Sequence, residues 1–344
     1  TPAKDVPEYW GDGIPLISGA SMHTNQLYES DVKITKLGLQ KGSKLALKDS
    51  ILILVRGSML FNKIPMGITL GDVAFNQDVK CIRPKQQLAP LFLFQWLHAK
   101  ENTIQNKVTA TGIGAGKLDT ADLQNLKLYK PSLEEQTKIA TFLSAVDEKI
   151  SQLTQKHQLL REYKQGMMQK LFSQQVRFKA DDKSEFGEWE EKELKDIAEI
   201  NPKSKKLPES FIYIDLESVE KGKLLLQKNI ELQDAPSRAQ RLLAKGDVLF
   251  QMVRPYQQNN YYFNLSGEYV ASTGYAQIRT KLDSKFIYYA LHEKTFLDEV
   301  MNRCTGTSYP AINSSDLSSI EILIPCLEEQ TKIANFLSSI DQKI

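Results

Sequence analysis

Leu133-Glu134-Glu135-Gln136-Thr137-Lys138-Ile139-Ala140 returns, residue for residue, as Leu327 to Ala334. The match runs on through Phe142-Leu143-Ser144 (Phe336-Leu337-Ser338), Asp147 (Asp341), Lys149 (Lys343) and Ile150 (Ile344), every pair 194 positions apart. Upstream, at the same offset, Phe92 matches Phe286, Leu97 matches Leu291 and His98 matches His292. Thr111-Gly112 matches Thr305-Gly306, Asp122-Leu123 matches Asp316-Leu317, and Pro131 matches Pro325. Solenoid repeats have periods of about 20 to 50 residues. This longer spacing is that of two whole domains, each followed by the same connector. The earlier part of each domain diverges. A constant frame carrying variable portions suits a reader of something that is itself bipartite.

The repeated segment opens a helix. Ile139, Val146, Leu153, Leu160 and Met167 recur every seven residues. Leu143, Ile150, His157, Lys164 and Leu171 form a second series four residues later. This is the a/d alternation of a coiled coil. The helix from 133 to 172 would span roughly 60 Å, and a lone helix with one apolar seam is marginal in water. Ile333, Leu337, Ile340 and Ile344 offer a partner seam in the same register. The two helices are therefore expected to pack antiparallel and hold the domains apart. His157 and Lys164 are either a solvated part of the seam or the polar residues that set its register.

The expected fold class is α+β: two mixed α/β domains joined by long helices that form an antiparallel coiled coil. Residues 1–132 are the first domain, 133–178 the first connector, 179–326 the second domain and 327–344 the start of the second connector. Ser50 to Arg56 and Asp247 to Arg254 are apolar strands, both ending in Val-Arg. Leu91 to His98 and Phe286 to His292 are short amphipathic helices. The second domain opens with Trp189 to Ile197, and nothing equivalent precedes Trp10. By symmetry, the first domain's start and the rest of the second connector are expected to be truncated.

No apolar run reaches the 18 residues of a membrane span. Cys81, Cys304 and Cys326 are few and far apart, as in a reducing, cytoplasmic setting. Net charge is +2, which conceals an asymmetry. Residues 1–132 carry 16 Lys+Arg against 11 Asp+Glu, whereas residues 173–344 carry 22 against 26. The first domain suits a polyanion; the second needs local basic patches to bind one.

Enzyme signals fail one by one. Gly112 to Lys117 lacks the first Gly and the final Ser/Thr of a phosphate-binding loop. No cofactor strand or Asn/Asp-Pro-Pro-Tyr/Phe loop of an adenine methyltransferase is present. The four His and three Cys have no metal-ligand spacing, and no cofactor is expected. What remains are surfaces able to meet DNA. Arg56 and Arg254 end equivalent strands, where Arg can fork onto guanine or phosphate. Pro255 to Tyr262 is dense in amides and Tyr, with Tyr256, Gln257 and Asn259 as candidate contacts. Thr109 to Lys117 and Thr305 to Pro310 are equivalent Gly/Thr-rich loops, offering Thr111, Lys117, Thr305, Thr307 and Tyr309. Lys63, Arg238 and Arg241 complete the candidates. Lys203, Lys205 and Lys206 form a basic run that reads more simply as a solvated loop.

The doubled Leu-Glu-Glu-Gln-Thr-Lys-Ile-Ala with Phe-Leu-Ser and Asp-x-Lys-Ile resembles the specificity subunits of type I restriction–modification enzymes. Trp10 to Ser18 resembles that family's early segment, and Phe186-Gly187-Glu188-Trp189 with Lys192-Glu193-Leu194 resembles the start of a recognition domain. The resemblance implies two target recognition domains, each reading one half of a split double-stranded DNA site. It implies helices that dock two modification (methyltransferase) subunits, restriction subunits that join them, and no catalytic centre in the chain. Two other readings stay open: a helical protein–protein scaffold, and a divergent DNA methyltransferase or nuclease.

Overall fold

The computed structural model describes residues 1–112, 114–203 and 206–344; Ile113 of the Gly-rich run and Lys205 of the basic run lie outside them. The chain divides into two compact units, Thr1–Leu153 and Thr154–Ile344. The division falls inside the first connector helix, Leu133–Phe172, so each unit keeps part of it.

In the first unit, Ile51-Leu52-Ile53-Leu54 is buried at all four positions. Such a run fits only a central strand covered on both faces. It lies antiparallel between Met66–Thr69 and Val79–Ile82. A second sheet runs in the order Lys33–Ile34, Trp10–Ile17, Val73–Phe75, Lys44–Ala46, with its two middle strands parallel. The Trp10 strand shifts register on Ile34. Gly13 sits at that bulge, where a Cβ would lie 2.4 Å from the Ile34 carbonyl oxygen, so no larger residue fits. The Pro90–Ala99 helix buries Leu93, Phe94 and Leu97 in the same core.

The second unit repeats this plan with different residues. Lys228–Glu231, Ser210–Ile214, Tyr269–Ser272 and Ala239–Leu242 form a sheet of the same order, again with the two middle strands parallel and the outer ones antiparallel. Val248–Gln251, also wholly buried, lies antiparallel between Tyr261–Tyr262 and Tyr275–Thr280. The Ser284–Ala290 helix stands where Pro90–Ala99 stands in the first unit. Its N-cap is Asp283, whose carboxylate accepts from the backbone N–H groups of Lys285 and Phe286, whereas the first-unit helix starts on Pro90.

One glutamine per unit ties this short helix to its connector. Gln136 is fully buried; its Nε2 donates to the carbonyls of Pro131 at 2.9 Å and Gln87 at 3.1 Å, and its Oε1 accepts from the Ala89 N–H at 2.8 Å. Gln330, its repeat, donates to the Pro325 carbonyl at 2.8 Å and accepts from the Asp283 N–H at 3.1 Å. About three turns further along each connector, Gln95 donates to Asp147 at 2.9 Å and Tyr289 to Asp341 at 2.6 Å. Here the donor changes and the carboxylate stays.

Within the second unit the C-terminal half of Leu133–Phe172 packs against the second connector helix, Leu327–Asp341. Lys164 meets Asp341 at 2.6 Å, while Arg177, further along, meets Glu329, further back. The two run antiparallel, as expected. Lys164 thus sits in the seam answered by one carboxylate, with its ammonium 5.1 Å from the Tyr289 ring centre. Leu171, Ile333, Leu337 and Ile340 are buried. His157, Leu160 and Met167 are half-buried, as are Ile139, Leu143 and Ile344. Val146, Ile150 and Leu153 remain 40, 58 and 52% exposed, so the middle of the predicted seam is open among the described residues.

The two copies of one glutamate differ. Glu329 is fully buried, held by Arg177 Nη2 at 2.7 Å and Nε at 3.1 Å and by Trp189 Nε1 at 3.1 Å. Glu135 is exposed. Glu329→Ala strands the buried Trp189 donor and the half-buried Arg177 guanidinium and should cost about 2–4 kcal/mol, somewhat below a fully buried pair because Arg177 reaches solvent. Glu135→Ala should stay within about 0.5 kcal/mol. Denaturant titration of the two variants checks the contrast; equal losses would refute it.

A second prediction concerns pH. His292 is half-buried, with Nδ1 2.7 Å from the Tyr288 carbonyl and Nε2 3.4 Å from Asn260 Nδ2. Burial pushes its pKa down from the usual 6.5, so the folded ring takes up a proton less readily than the unfolded one. The unfolded ring protonates from about pH 6.5 downward. The unfolded state then binds more protons, and stability is lost as pH falls below that point. His292→Gln should flatten this loss in thermal melts from about pH 8 to about pH 5. An unchanged slope would assign the acid sensitivity to other groups.

Candidate nucleic-acid interface

In the first unit the Arg-ended strand and the Gly/Thr loop meet. Arg56–Gly57 pairs antiparallel with Gly116–Lys117, which pairs with Thr109–Ala110. Arg56 lies directly opposite Lys117, and Lys117 opposite Thr109. Residues opposed in this way share one face of a sheet. Arg56, Lys117 and Thr109 therefore form a single exposed row. Like charges facing each other across a ladder are destabilising, and an anion laid along the row relieves that repulsion. Gly116, next to Lys117 on the central strand, is closely packed: a Cβ there would meet the Gly57 carbonyl oxygen at 3.0 Å. Thr111 is less available than expected: its Oγ1 donates to the Ala115 carbonyl at 2.9 Å.

The second unit builds the same junction from other residues. Val253 and Thr305 each bridge Ala311, and the Arg254 N–H donates to the Pro310 carbonyl at 2.7 Å. Ala311 holds the repeat position of Lys117, so the row loses its charge. In its place Arg254 lies with its guanidinium carbon 4.2 Å from the ring centre of Tyr309. The Arg254 backbone is left-handed, with φ +55°, an uncommon state for a residue with a Cβ. Among the described residues its guanidinium makes no ion pair or hydrogen bond. Tyr256 and Tyr309 are 51 and 63% exposed, and Gln257, Thr305 and Thr307 are exposed as well.

Half of the amide-rich loop is structural. Gln251, buried, donates to the Val253 carbonyl at 2.8 Å and to Gln257 Oε1 at 3.0 Å, and accepts from the Asn259 N–H at 3.1 Å. Asn260, also buried, accepts from the Gln251 N–H at 2.8 Å and stands against His292. Asn259 Oδ1 accepts from the Lys221 N–H at 3.0 Å, so its acceptor is already engaged. These bonds fix the loop's shape and leave Gln257 Nε2, Tyr256 and Arg254 facing outward. Sequence reasoning missed Lys221, at the tip of a hairpin formed by Val219–Glu220 and Lys223–Leu224. Lys221 and Gly222 both have positive φ, the mark of a tight hairpin turn, and the Lys-Gly pair was its one signal.

Other candidates lie elsewhere. Arg238 is exposed beside the Ala239–Leu242 edge strand, and Arg241 on that strand is half-buried, where desolvation lowers its pKa. Lys63 is exposed and lines a small cleft with His23, His98 and Glu101. A larger open cleft beside Trp10 is lined by Asp12, Glu29 and Asp31, which repel a polyanion. No group of His, Cys, Asp and Glu able to hold a metal ion occurs among the described residues, and no described helix is long and apolar enough to cross a membrane.

A family model described as the type I restriction modification DNA specificity domain matches residues 1–161 and again 187–344. The MjaVIII specificity subunit of Methanocaldococcus jannaschii, a type I restriction enzyme component, is 30% identical over 285 residues, covering 77% of this chain and 67% of that one. The putative MjaX specificity subunit of the same organism is 29% identical over 344 residues, covering 92% and 79%. The crystal structure of a type I restriction–modification S subunit from M. genitalium shares the fold, with a TM-score of 0.60 at 16% identity over 97% of this chain and 87% of that one. With one family match on each of two units of like topology, the chain belongs to the type I restriction–modification DNA specificity subunits, non-catalytic members of their complexes that carry two target recognition domains.

Proposed function

We propose that each unit reads one half of a split double-stranded DNA target. The connector helices dock two modification (methyltransferase) subunits, which mark adenines in that target, and restriction subunits join the assembly. The observation that carries this reading is the junction built twice: a buried central strand ends beside a Gly/Thr loop, and the two copies present different side chains on one scaffold. The first copy presents Arg56, Lys117 and Thr109, a charged row suited to backbone phosphates. The second presents Arg254, Tyr256, Gln257 and Tyr309, groups suited to base edges and stacking. Thr305, Thr307 and Lys221 border that second surface, whereas Arg238, Arg241 and Lys63 sit apart from both and would act as outlying phosphate contacts.

Two experiments test it. Exchanging residues 190–325 for those of another family member should change one half of the methylated sequence and leave the other intact, as mapped by methylated adenines in cells that supply the modification subunit. A change in both halves would overturn the one-domain, one-half assignment. Arg56→Ala with Lys117→Ala should lower the slope of log affinity against log salt by about 1–2 without altering which sequence is marked. An unchanged slope would remove the row from the DNA interface.

A further inference from the structure

We infer that Arg254, held against the ring of Tyr309, reads a guanine in the second half of the target. The inference rests on the DNA-reading assignment above and names one base within it.

Contact with a phosphate asks only for positive charge, which a flexible lysine supplies. Arg254 is set up for something narrower. Its guanidinium carbon lies 4.2 Å from the centre of the Tyr309 ring, a cation–π contact that restrains the fork against the ring face. Its backbone is pinned by the N–H bond to Pro310 and by the Gln251–Asn260 amide network beneath the loop. No carboxylate neutralises it among the described residues, so its N–H edges remain free to donate. A planar, oriented, unpaired fork matches the O6 and N7 acceptors of guanine, which take two parallel hydrogen bonds in the major groove. Ordering the side chain in advance removes much of the entropy lost on binding.

The first unit acts as an internal control. The repeat position of Tyr309 is Ala115, and Arg56 is exposed on a strand opposite Lys117. Among the described residues no aromatic ring or carboxylate holds the Arg56 guanidinium. The guanine reader therefore belongs to the second unit alone, and Tyr309 is its positioning residue.

The test uses the full chain assembled with its modification subunits, and duplexes in which each base pair of the second half-site is changed in turn. The unaltered protein should discriminate against replacing one G·C pair by roughly 5- to 150-fold, the range of a bidentate contact. Arg254→Lys keeps the charge but loses the planar fork, so it should weaken discrimination at that pair and leave the salt slope and every other position unchanged. Tyr309→Ala should weaken the same discrimination, and Tyr309→Phe, which keeps the ring, should restore it. If Arg254→Lys discriminates at every position as before, the inference is overturned. If Arg254→Ala weakens all duplexes equally and lowers the salt slope, Arg254 is a phosphate contact and only the base assignment falls. If the unaltered protein prefers no duplex over another, the DNA-reading assignment itself fails.

Discussion

A single buried amide per unit governs the rest of the structure. Gln136 and Gln330 each span from a proline carbonyl at the start of a connector helix to a backbone N–H at the start of the neighbouring short helix. A glutamine supplies both a donor and an acceptor on one planar group, so one side chain satisfies backbone atoms on two elements. Leaving those atoms unpaired in the interior would cost about 1–3 kcal/mol each. The clamp fixes the angle at which each connector leaves its domain, and the sheets can then vary without disturbing that exit. This accounts for a repeat that is identical at the clamp and drifts away from it.

The same logic explains which residues change. Asp147 and Asp341 keep their place, while the donor facing them is Gln95 in one unit and Tyr289 in the other. Conversely, Glu135 and Glu329 are the same residue with opposite fates, one solvated and one enclosed by Arg177 and Trp189. Duplication preserved the letters and surroundings reassigned the duties. The second unit's excess of acidic residues includes carboxylates of this enclosed kind. Asp247, almost fully buried, receives two bonds from Arg279 at 2.8 Å and one from Gln277 at 2.7 Å. Each such pair cancels in the net charge, so the acidic excess a polyanion would meet is carried by the other carboxylates.

Much of the architecture was legible because it is periodic. The 194-residue offset announced two like domains, and the heptads announced the antiparallel helices. The strand ends at Arg56 and Arg254 and the loops at Thr109 and Thr305 were matched from sequence, and they do adjoin. The parallel pair of Trp10–Ile17 and Val73–Phe75 was not visible, because Gly11, Gly13 and Pro15 break the apolar alternation that marks a strand. The amide-rich loop misled in one respect. Composition cannot tell an outward-facing Gln257 from an inward-facing Gln251 or Asn260, since burial is decided by neighbours far along the chain. The open middle of the seam, at Val146, Ile150 and Leu153, was likewise hidden, because a heptad pattern states that a cover is wanted without stating where one lies.

The left-handed backbone at Arg254 would set fold stability against the recognition role proposed for that residue. A residue with a Cβ loses about 1–2 kcal/mol in that conformation, and glycine does not. Replacement by glycine at this codon would thus give a sturdier but less discerning protein. An arginine persisting there would be maintained by selection on the target sequence and not by the needs of the fold. Positions where conformational preference and chemical duty disagree in this way are where a recognition domain can change its target without losing its shape.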